Sequence, residues 1–284
     1  MQISQIDKVI KYYDSTVIDY KTIWTGSDDL AMHFGYYDNG TKSHKDSLMR
    51  MNEVLAKLAN ISKNDRVMDA GCGYGGSAIW FAKNIGCEVV GLTVVPYQIR
   101  EAEKFAEKNK LSDKVSFRKE EYAHTPFPNN SFTVVWGLES IVHAESKKDF
   151  INEAYRLLKV GGRILISEYM LRETPPFSDK EKQIISPWLR GWAMPSLLTP
   201  NEYKSHLDSA GFKNIKIHDL TDNVRQSLRR LEKLSKLGLP FATLLRKLRI
   251  INREHFGNVE ASVVQSKALK AGLWRYTVIT AEKL

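Results

Sequence analysis

A carboxylate followed by three glycines, and a glutamate followed by a histidine, are the residues of this chain whose types and spacing suit chemistry. The stretch RVMDAGCGYGGSA, residues 66–78, sets Asp69 just ahead of Gly71-x-Gly73-x-x-Gly76. Glycines at this spacing let the backbone turn sharply and approach a ligand, because no Cβ stands in the way. The pattern serves a pyrophosphate or a ligand with a cationic end. Asp69 favours the second, since a carboxylate there repels phosphate and attracts positive charge. Further on, WGLESIVHAES, residues 136–146, sets Glu139 four residues before His143. That spacing is an ordinary helical pair, or a carboxylate and an imidazole sharing a site where a proton moves.

The elements that must position these residues follow from apolar periodicity. Ser43 to Asn60 places Leu48, Met51, Leu55 and Leu58 on one face behind a capping serine, which predicts a helix. Strands are predicted over 66–70, 88–93, 115–119, 132–138 and 163–170, with helices over 75–85, 96–110 and 147–158 between them. Gly161-Gly162 is expected to end the last helix. Phe132 to Leu138 is almost wholly apolar and is expected at the centre of a sheet. Such alternation implies a parallel sheet with helices on both faces. Beyond Leu171, the Pro- and Trp-rich segment Thr174 to Pro200 reads as an insertion over the sheet edge. A helix over 201–210, a strand over 214–220, two basic helical segments and a terminal strand in LWRYTVITAEKL complete the pattern. The expected class is α/β, a doubly wound, mostly parallel, seven-stranded sheet.

Composition narrows the functional classes. In 284 residues, 43% are hydrophobic and 26% charged, as in ordinary globular proteins. The opening MQISQIDKVIKYYDS has no sustained apolar region, so a secretory leader is not expected. The run Leu239 to Leu245 is far too short to cross a bilayer. Two cysteines, Cys72 and Cys87, build no disulfide framework, and the expected address is the cytoplasm. The net charge of +9 is uneven: Arg225, Arg229, Arg230, Lys233, Lys236, Arg246, Lys247, Arg249 and Arg253 crowd the two late helical segments. These cations form a solvated helix face, or meet an anionic substrate, a membrane surface or RNA.

A dinucleotide site asks for an acid at the end of the second strand, and in EVVGLTVVPYQI Thr93 stands there instead. From Val67 to Glu168 the chain resembles the core of class I S-adenosylmethionine-dependent methyltransferases, with VMDAGCGYGG as the first motif. More narrowly, GLTVVPYQIREAEKFAEKNKLSDKVSF resembles the small-molecule branch that contains γ-tocopherol and sterol C-methyltransferases. In that branch Thr, Ser or Asn commonly replaces the second-strand acid. The resemblance covers roughly the first 170 residues well. It implies a Rossmann-like fold with a helical substrate lid, S-adenosylmethionine as cofactor and S-adenosylhomocysteine as product. It places Asp69, Gly71 and Gly73 at the methionine moiety, Thr93 and Gln98 at the ribose, and Cys72 and Leu138 among the cofactor contacts. Glu121 stands where the family usually has an Asp reading the adenine amino group, with Glu120 as a competitor. Tyr122 offers its backbone N–H to the adenine. The implied division is residues 1–60 as an N-terminal helical lid, 61–171 as the cofactor-binding core, and 172–284 as the remaining sheet with helical substrate-cap insertions at about 172–200 and 222–266.

The segment from Trp136 to Ser146 resembles the family stretch that follows the strand bordering the transferable methyl group. It makes His143 the candidate base for a hydroxyl or amine acceptor. Glu139 is the second candidate, and orienting substrate or balancing positive charge is its other reading. His33, His44, His124, His206, His218 and His255 show no ligand spacing around His143, so no metal is expected. Tyr12, Tyr13, Trp24 and HFGYYD, residues 33–38, precede the core. Such aromatics are packing, or the wall of a lipophilic pocket, for which Tyr36, Tyr37, Trp188 and Trp192 are the substrate-binding candidates. The reading is methyl transfer to a lipophilic small molecule of secondary metabolism, such as a terpenoid, prenylated phenol or alkaloid-like compound. C-, O- and N-methylation stay open. A prenyl-diphosphate C-methyltransferase is the alternative, since an anionic isoprenoid would use the basic helices. An NAD-dependent oxidoreductase, an RNA methyltransferase and a silent binding module rank lower. No DPPY-like tetrapeptide is present, and nucleic acid is not an expected partner. Peripheral membrane contact through the basic C-terminal helices is a further expectation.

Overall fold

Phe132–Leu138 (β4) buries every residue except Thr133, which is half-buried, and a strand apolar on both faces must lie inside a sheet covered on both sides. The computed structural model describes residues 3–19, 30–174 and 177–284, so Trp24 lies outside the described residues. In it β4 sits between Arg66–Ala70 (β1) and Leu158–Leu171 (β5), parallel to both. Glu88–Thr93 (β2) and Val115–Lys119 (β3) extend the parallel sheet beyond β1. Lys213–Asp219 (β6) and Trp274–Glu282 (β7) complete the order β3-β2-β1-β4-β5-β7-β6, with β7 antiparallel to both neighbours. The strand order reverses between β1 and β4. Open α/β sheets bind ligands at that switch point, beyond the carboxyl ends of the strands.

Successive side chains of a strand point to opposite faces, so the sheet sorts its apolar residues into two cores. Val67, Val89, Val134, Trp136 and Leu165 pack on one side, with Gly76–Asn84 (α3) and His44–Leu58 (α2) against them. Phe81 meets the fully buried ring of Trp136 edge-on at 4.7 Å. Met68, Val90, Val135, Ile164 and Ile166 pack on the other side with Lys147–Leu157 (α5) and Pro200–Ala210 (α7). Pro96–Lys108 (α4) connects β2 and β3, with its proline in the first turn where no N–H is needed.

Gln5–Asp19 (α1), Asp179–Gly191 (α6), Thr221–Lys247 (α8) and Arg253–Lys270 (α9) gather at the β5–β7 side. Tyr12 donates to Asn258 Oδ1 at 2.8 Å, and Asn258 donates to Asp19 at 2.8 Å, which ties α1 to α9. Gly191 of α6 touches the backbone of Gly257 in α9, where any side chain would collide. Glu232 of α8 accepts from Ser266 and Lys270 of α9 at 2.6 and 2.7 Å.

One expectation of local structure needs correcting. Gly161-Gly162 lies inside β5, which begins at Leu158 rather than at Arg163. Gly161 N donates to Lys283 O at 2.7 Å and Lys283 N to Gly162 O at 2.8 Å, so pairing with the chain end carries the strand backwards past the glycines. The Pro- and Trp-rich segment carries a helix, α6, as expected of a helical cap insertion. Ser178 and Glu181 cap it reciprocally, and Pro187 is accommodated within it. Among the described residues no helix is long and apolar enough to cross a membrane.

Candidate active site

Asp69 occupies the end of β1, paired with Gly91 of β2 on one side and Trp136 of β4 on the other. Its side chain is buried, Oδ2 has no hydrogen-bond partner, and burial pushes the carboxyl up to about 7. A buried carboxylate oxygen without a donor is costly, and a cationic ligand would relieve it. The turn that follows takes left-handed backbone at Gly71, Gly73 and Gly75, with φ of +87°, +53° and +80°. The N–H groups of Gly71 and Cys72 both donate to Leu92 O at 2.9 Å, drawing the turn against β2. A side chain at Gly71 would strike Ser140, and one at Gly73 would come within 2.9 Å of Met32 Sδ. Close approach and positive φ together require glycine at both positions. Burial, reinforced by Asp69, pushes the Cys72 thiol well above its ordinary value.

At the end of β2, Thr93 donates to Gln98 Oε1 at 2.6 Å and accepts from Val95 N at 3.2 Å. Thr93 therefore fixes the start of α4 and aligns the buried Gln98 amide. After β3, the half-exposed Glu121 carboxylate lies 3.4 Å from His124 Nδ1. Tyr122 donates to Ser140 O at 3.0 Å. It thus joins the loop after β3 to the loop after β4.

The loop after β4 is held from behind. Glu139 takes φ of +51°, unusual for a residue with a side chain. Its carboxylate accepts from Phe34 N at 2.8 Å, from the Tyr276 hydroxyl at 2.7 Å and from the Tyr169 hydroxyl. Burial lifts Glu139 to about 7 even though these three donors pull it down. Ile141–His143 forms one 3₁₀ turn. Glu168, fully buried on β5, accepts from the N–H groups of Ser140, Ile141 and Val142 at 3.0, 2.6 and 3.3 Å and so caps that turn. Lys147 donates to the carbonyls of Val142, Ala144 and Ser196 at 3.0, 2.9 and 2.9 Å, and burial brings it down to about 8. Burial likewise lowers His143 to about 4. Its Nε2 is 3.1 Å from the Tyr13 hydroxyl, and Gln5 donates to His143 O and Ala193 O at 3.2 and 2.7 Å.

These groups surround one cavity of about 290 Å³. Asp69, Gly71, Cys72, Gly73, Thr93, Gln98, Glu121, Tyr122, Leu138, Glu139 and His143 all line it. Ile6, Val9 and Tyr13 of α1, with Leu30, Ala31 and Met32, supply its apolar wall. Glu120 is not on the wall. Neither are Tyr36, Tyr37 and Trp188, the expected substrate contacts. Tyr36 bonds through its backbone to Ser47 O, the Tyr37 hydroxyl lies 3.1 Å from His44, and Trp188 is fully buried between Tyr169 and Trp274. Trp192 lines only a small annex of about 20 Å³, shared with Tyr12, Tyr13, Met32, Glu139, His143, Tyr169 and Met194.

Several residues that shape the site went unnoticed in the sequence. Glu168, in the apolar strand RILISEYM, was the detectable one, because a buried carboxylate in a strand needs donors. Lys147 reads as the first residue of a surface helix, and nothing local marks it as buried. Ser140, whose hydroxyl donates to Ala70 O, gave no signal at all.

The wall fits a ligand with a positive end. Among its described residues there is no Lys or Arg to meet a pyrophosphate, whereas Asp69 offers an unpartnered carboxylate oxygen beside a glycine turn. Residues 68–166 match the family described as "Methyltransferase domain". The chain is 27% identical over 287 residues to a probable chloroplastic tocopherol O-methyltransferase of Oryza sativa subsp. japonica, covering 95% of this chain and 76% of that protein. It is 30% identical over 213 residues to a sterol 24-C-methyltransferase of Kluyveromyces lactis, covering 75% of this chain but only 56% of that protein. The crystal structure of the [4+2]-cyclase SpnF superposes with a TM-score of 0.80 at 22% identity, over 99% of this chain and 97% of that one. That last likeness speaks for the fold alone. The sheet order, the glycine turn with its buried aspartate and these similarities agree: residues 68–166 form an S-adenosylmethionine-dependent methyltransferase domain on a class I sheet, and the chain is similar to tocopherol and sterol methyltransferases.

Proposed function

We propose that this protein transfers the methyl group of S-adenosylmethionine to a lipophilic small molecule, a terpenoid or prenylated phenol of secondary metabolism being the class in view. One observation carries the proposal. A single cavity joins the Asp69–glycine turn to Glu139 and His143 beneath the apolar wall of α1 and residues 30–32. The bound cofactor supplies an electrophilic methyl group on a sulfonium, open to in-line displacement. In this reading Asp69 holds the ammonium end, with Gly71, Cys72, Gly73 and Leu138 around the methionine chain. Thr93 and Gln98 hold the ribose, and Glu121 and Tyr122 the adenine. Helices α1, α6, α8 and α9 act as the lid that excludes water.

Proton handling falls to two side chains. His143 is uncharged at neutral pH because burial keeps it at about 4, so its ring can accept a hydrogen bond from a hydroxyl or amine but is a weak base. Glu139, raised to about 7, can accept a proton from an acceptor or balance a cation formed on an alkene. The wall carries Asp69, Glu121, Glu139 and Glu145 and, among its described residues, no Lys or Arg. That balance favours an uncharged acceptor over a free isoprenyl diphosphate. Cys72 and Cys87 are both unpaired and buried, in keeping with a reducing cytoplasmic address.

The test is a panel of acceptors with labelled cofactor: a prenylated phenol, a terpenoid alkene, an isoprenyl diphosphate and a lipophilic amine, each product located by mass spectrometry. Transfer to the uncharged lipophilic members is expected. Transfer confined to the diphosphate, or to RNA added as a control, would overturn the substrate class.

A further inference from the structure

The second half of α8 carries an apolar strip that the described chain leaves uncovered. Leu237, Phe241, Leu244 and Leu248 are 72%, 63%, 52% and 60% exposed. Their spacing of four, three and four residues aligns them along one face of the helix. Leu231, Ser235 and Ala242 mark a different, buried face of the same helix. The helix is therefore apolar on two sides, and the fold satisfies only one. Ile250, just beyond the helix end, adds a further exposed apolar side chain.

The charge beside the strip is of one sign. At about 100° per residue, Arg229, Lys233, Lys236 and Lys247 fall on the neighbouring face, and all four are exposed. Between Glu232 and Glu254 the sequence holds Lys233, Lys236, Arg246, Lys247, Arg249 and Arg253 and no acid. Lys236 reaches back to Glu232 at 2.7 Å. The others have no carboxylate within the segment to neutralise them.

We propose that this strip seats α8 on an anionic lipid bilayer, with Leu237, Phe241, Leu244 and Leu248 in the acyl boundary and the flanking cations among the headgroups. An apolar face bordered by Lys and Arg is what an interfacial helix presents to such a surface. Charge complementarity selects this occupant over a second copy, which would bring the same six cations against these. The strip would bring the enzyme to the phase in which a lipophilic acceptor dissolves. That purpose rests on the proposed substrate class, but the binding itself does not.

The test is co-sedimentation of the full chain with vesicles of phosphatidylcholine, alone or mixed with phosphatidylglycerol. Affinity for S-adenosylhomocysteine is measured on the same samples. Binding to the mixed vesicles, weakened by salt, is expected. Joint replacement Phe241→Asp and Leu244→Asp should weaken it about tenfold or more. Lys233→Gln and Lys247→Gln should cost about fivefold each. Both sets should leave S-adenosylhomocysteine affinity unchanged, which shows that the site still folds. No binding of the unaltered chain to mixed vesicles, or equal binding by the Asp variant, would overturn the proposal. So would a dimer in sedimentation equilibrium that the Asp variant dissociates. Loss of S-adenosylhomocysteine binding by the unaltered chain would instead count against the cofactor site.

Discussion

The hydroxyl of Tyr13 lies 3.1 Å from Nε2 of His143, so the N-terminal helix holds a nitrogen that an acceptor proton would need. The other ring nitrogen is 3.5 Å from Ala193 O, at the limit of a hydrogen bond. With the proton on Nδ1, the ring accepts from Tyr13 and remains neutral. Tyr13→Phe removes a donor that favours the neutral ring, so the His143 pKa should rise from about 4 toward its ordinary value. An NMR titration of the histidine resonances reads that shift directly.

The same depression has a stability signature. His143 binds fewer protons in the folded than in the unfolded state, so its contribution is complete above about 6.5 and is lost as pH falls through about 4. Replacing it by Gln should flatten the acid limb of a denaturation series by about 3 kcal/mol at most. An unchanged slope would place the ring in water.

Asp69 acts in the opposite sense. Its folded pKa is raised from 3.8 to about 7, so the stability linked to its protonated form is present below 3.8 and lost as pH rises through about 7. Asp69→Asn should make the ligand-free protein more stable at pH 8, by a few kcal/mol at most. The same change should weaken S-adenosylhomocysteine about tenfold or more, because a charge-assisted contact is lost. Thermal melts with and without the ligand check both halves.

Glu168 and Lys147 hold the loop after β4 without lining the cavity. Glu168→Ala strands three buried N–H groups and should cost about 3–5 kcal/mol of stability. Glu168→Gln keeps an acceptor there and should be much milder. Lys147→Met leaves three carbonyls without a donor and should cost about 2–4 kcal/mol. Chemical denaturation separates the three variants.

The sheet was legible because periods of two and three-to-four residues alternate cleanly from Arg66 onward, and each glycine of the turn carries its own steric reason. The start of β5 was not, because the partner that extends it, Lys283, lies at the far end of the chain. Asp69 and Thr93 could be placed together from the sequence, since each sits at the carboxyl end of its strand, whereas Gln98 joined them only through the family resemblance. Tyr36, Tyr37 and Trp188 do not line the cavity, and aromatic identity does not say which way a ring turns. Gly75, not Gly76, takes the third left-handed conformation, and the adjacent pair hid that choice. Lys147 and Glu168 escaped because their reason to exist is a loop fixed by distant strands.

The central claim is that one cavity both seats the cofactor and moves the acceptor's proton through Glu139 or His143. A single-turnover assay with methyl-labelled S-adenosylmethionine and a lipophilic acceptor, followed by extraction into organic solvent, tests it most directly. The account predicts label in the organic phase with the unaltered chain. It predicts a rate about 10²-fold or more lower in Glu139→Gln or His143→Ala, while S-adenosylhomocysteine affinity stays close to that of the parent. Label that never leaves the aqueous phase although the cofactor binds, or full rates in both variants, would contradict it.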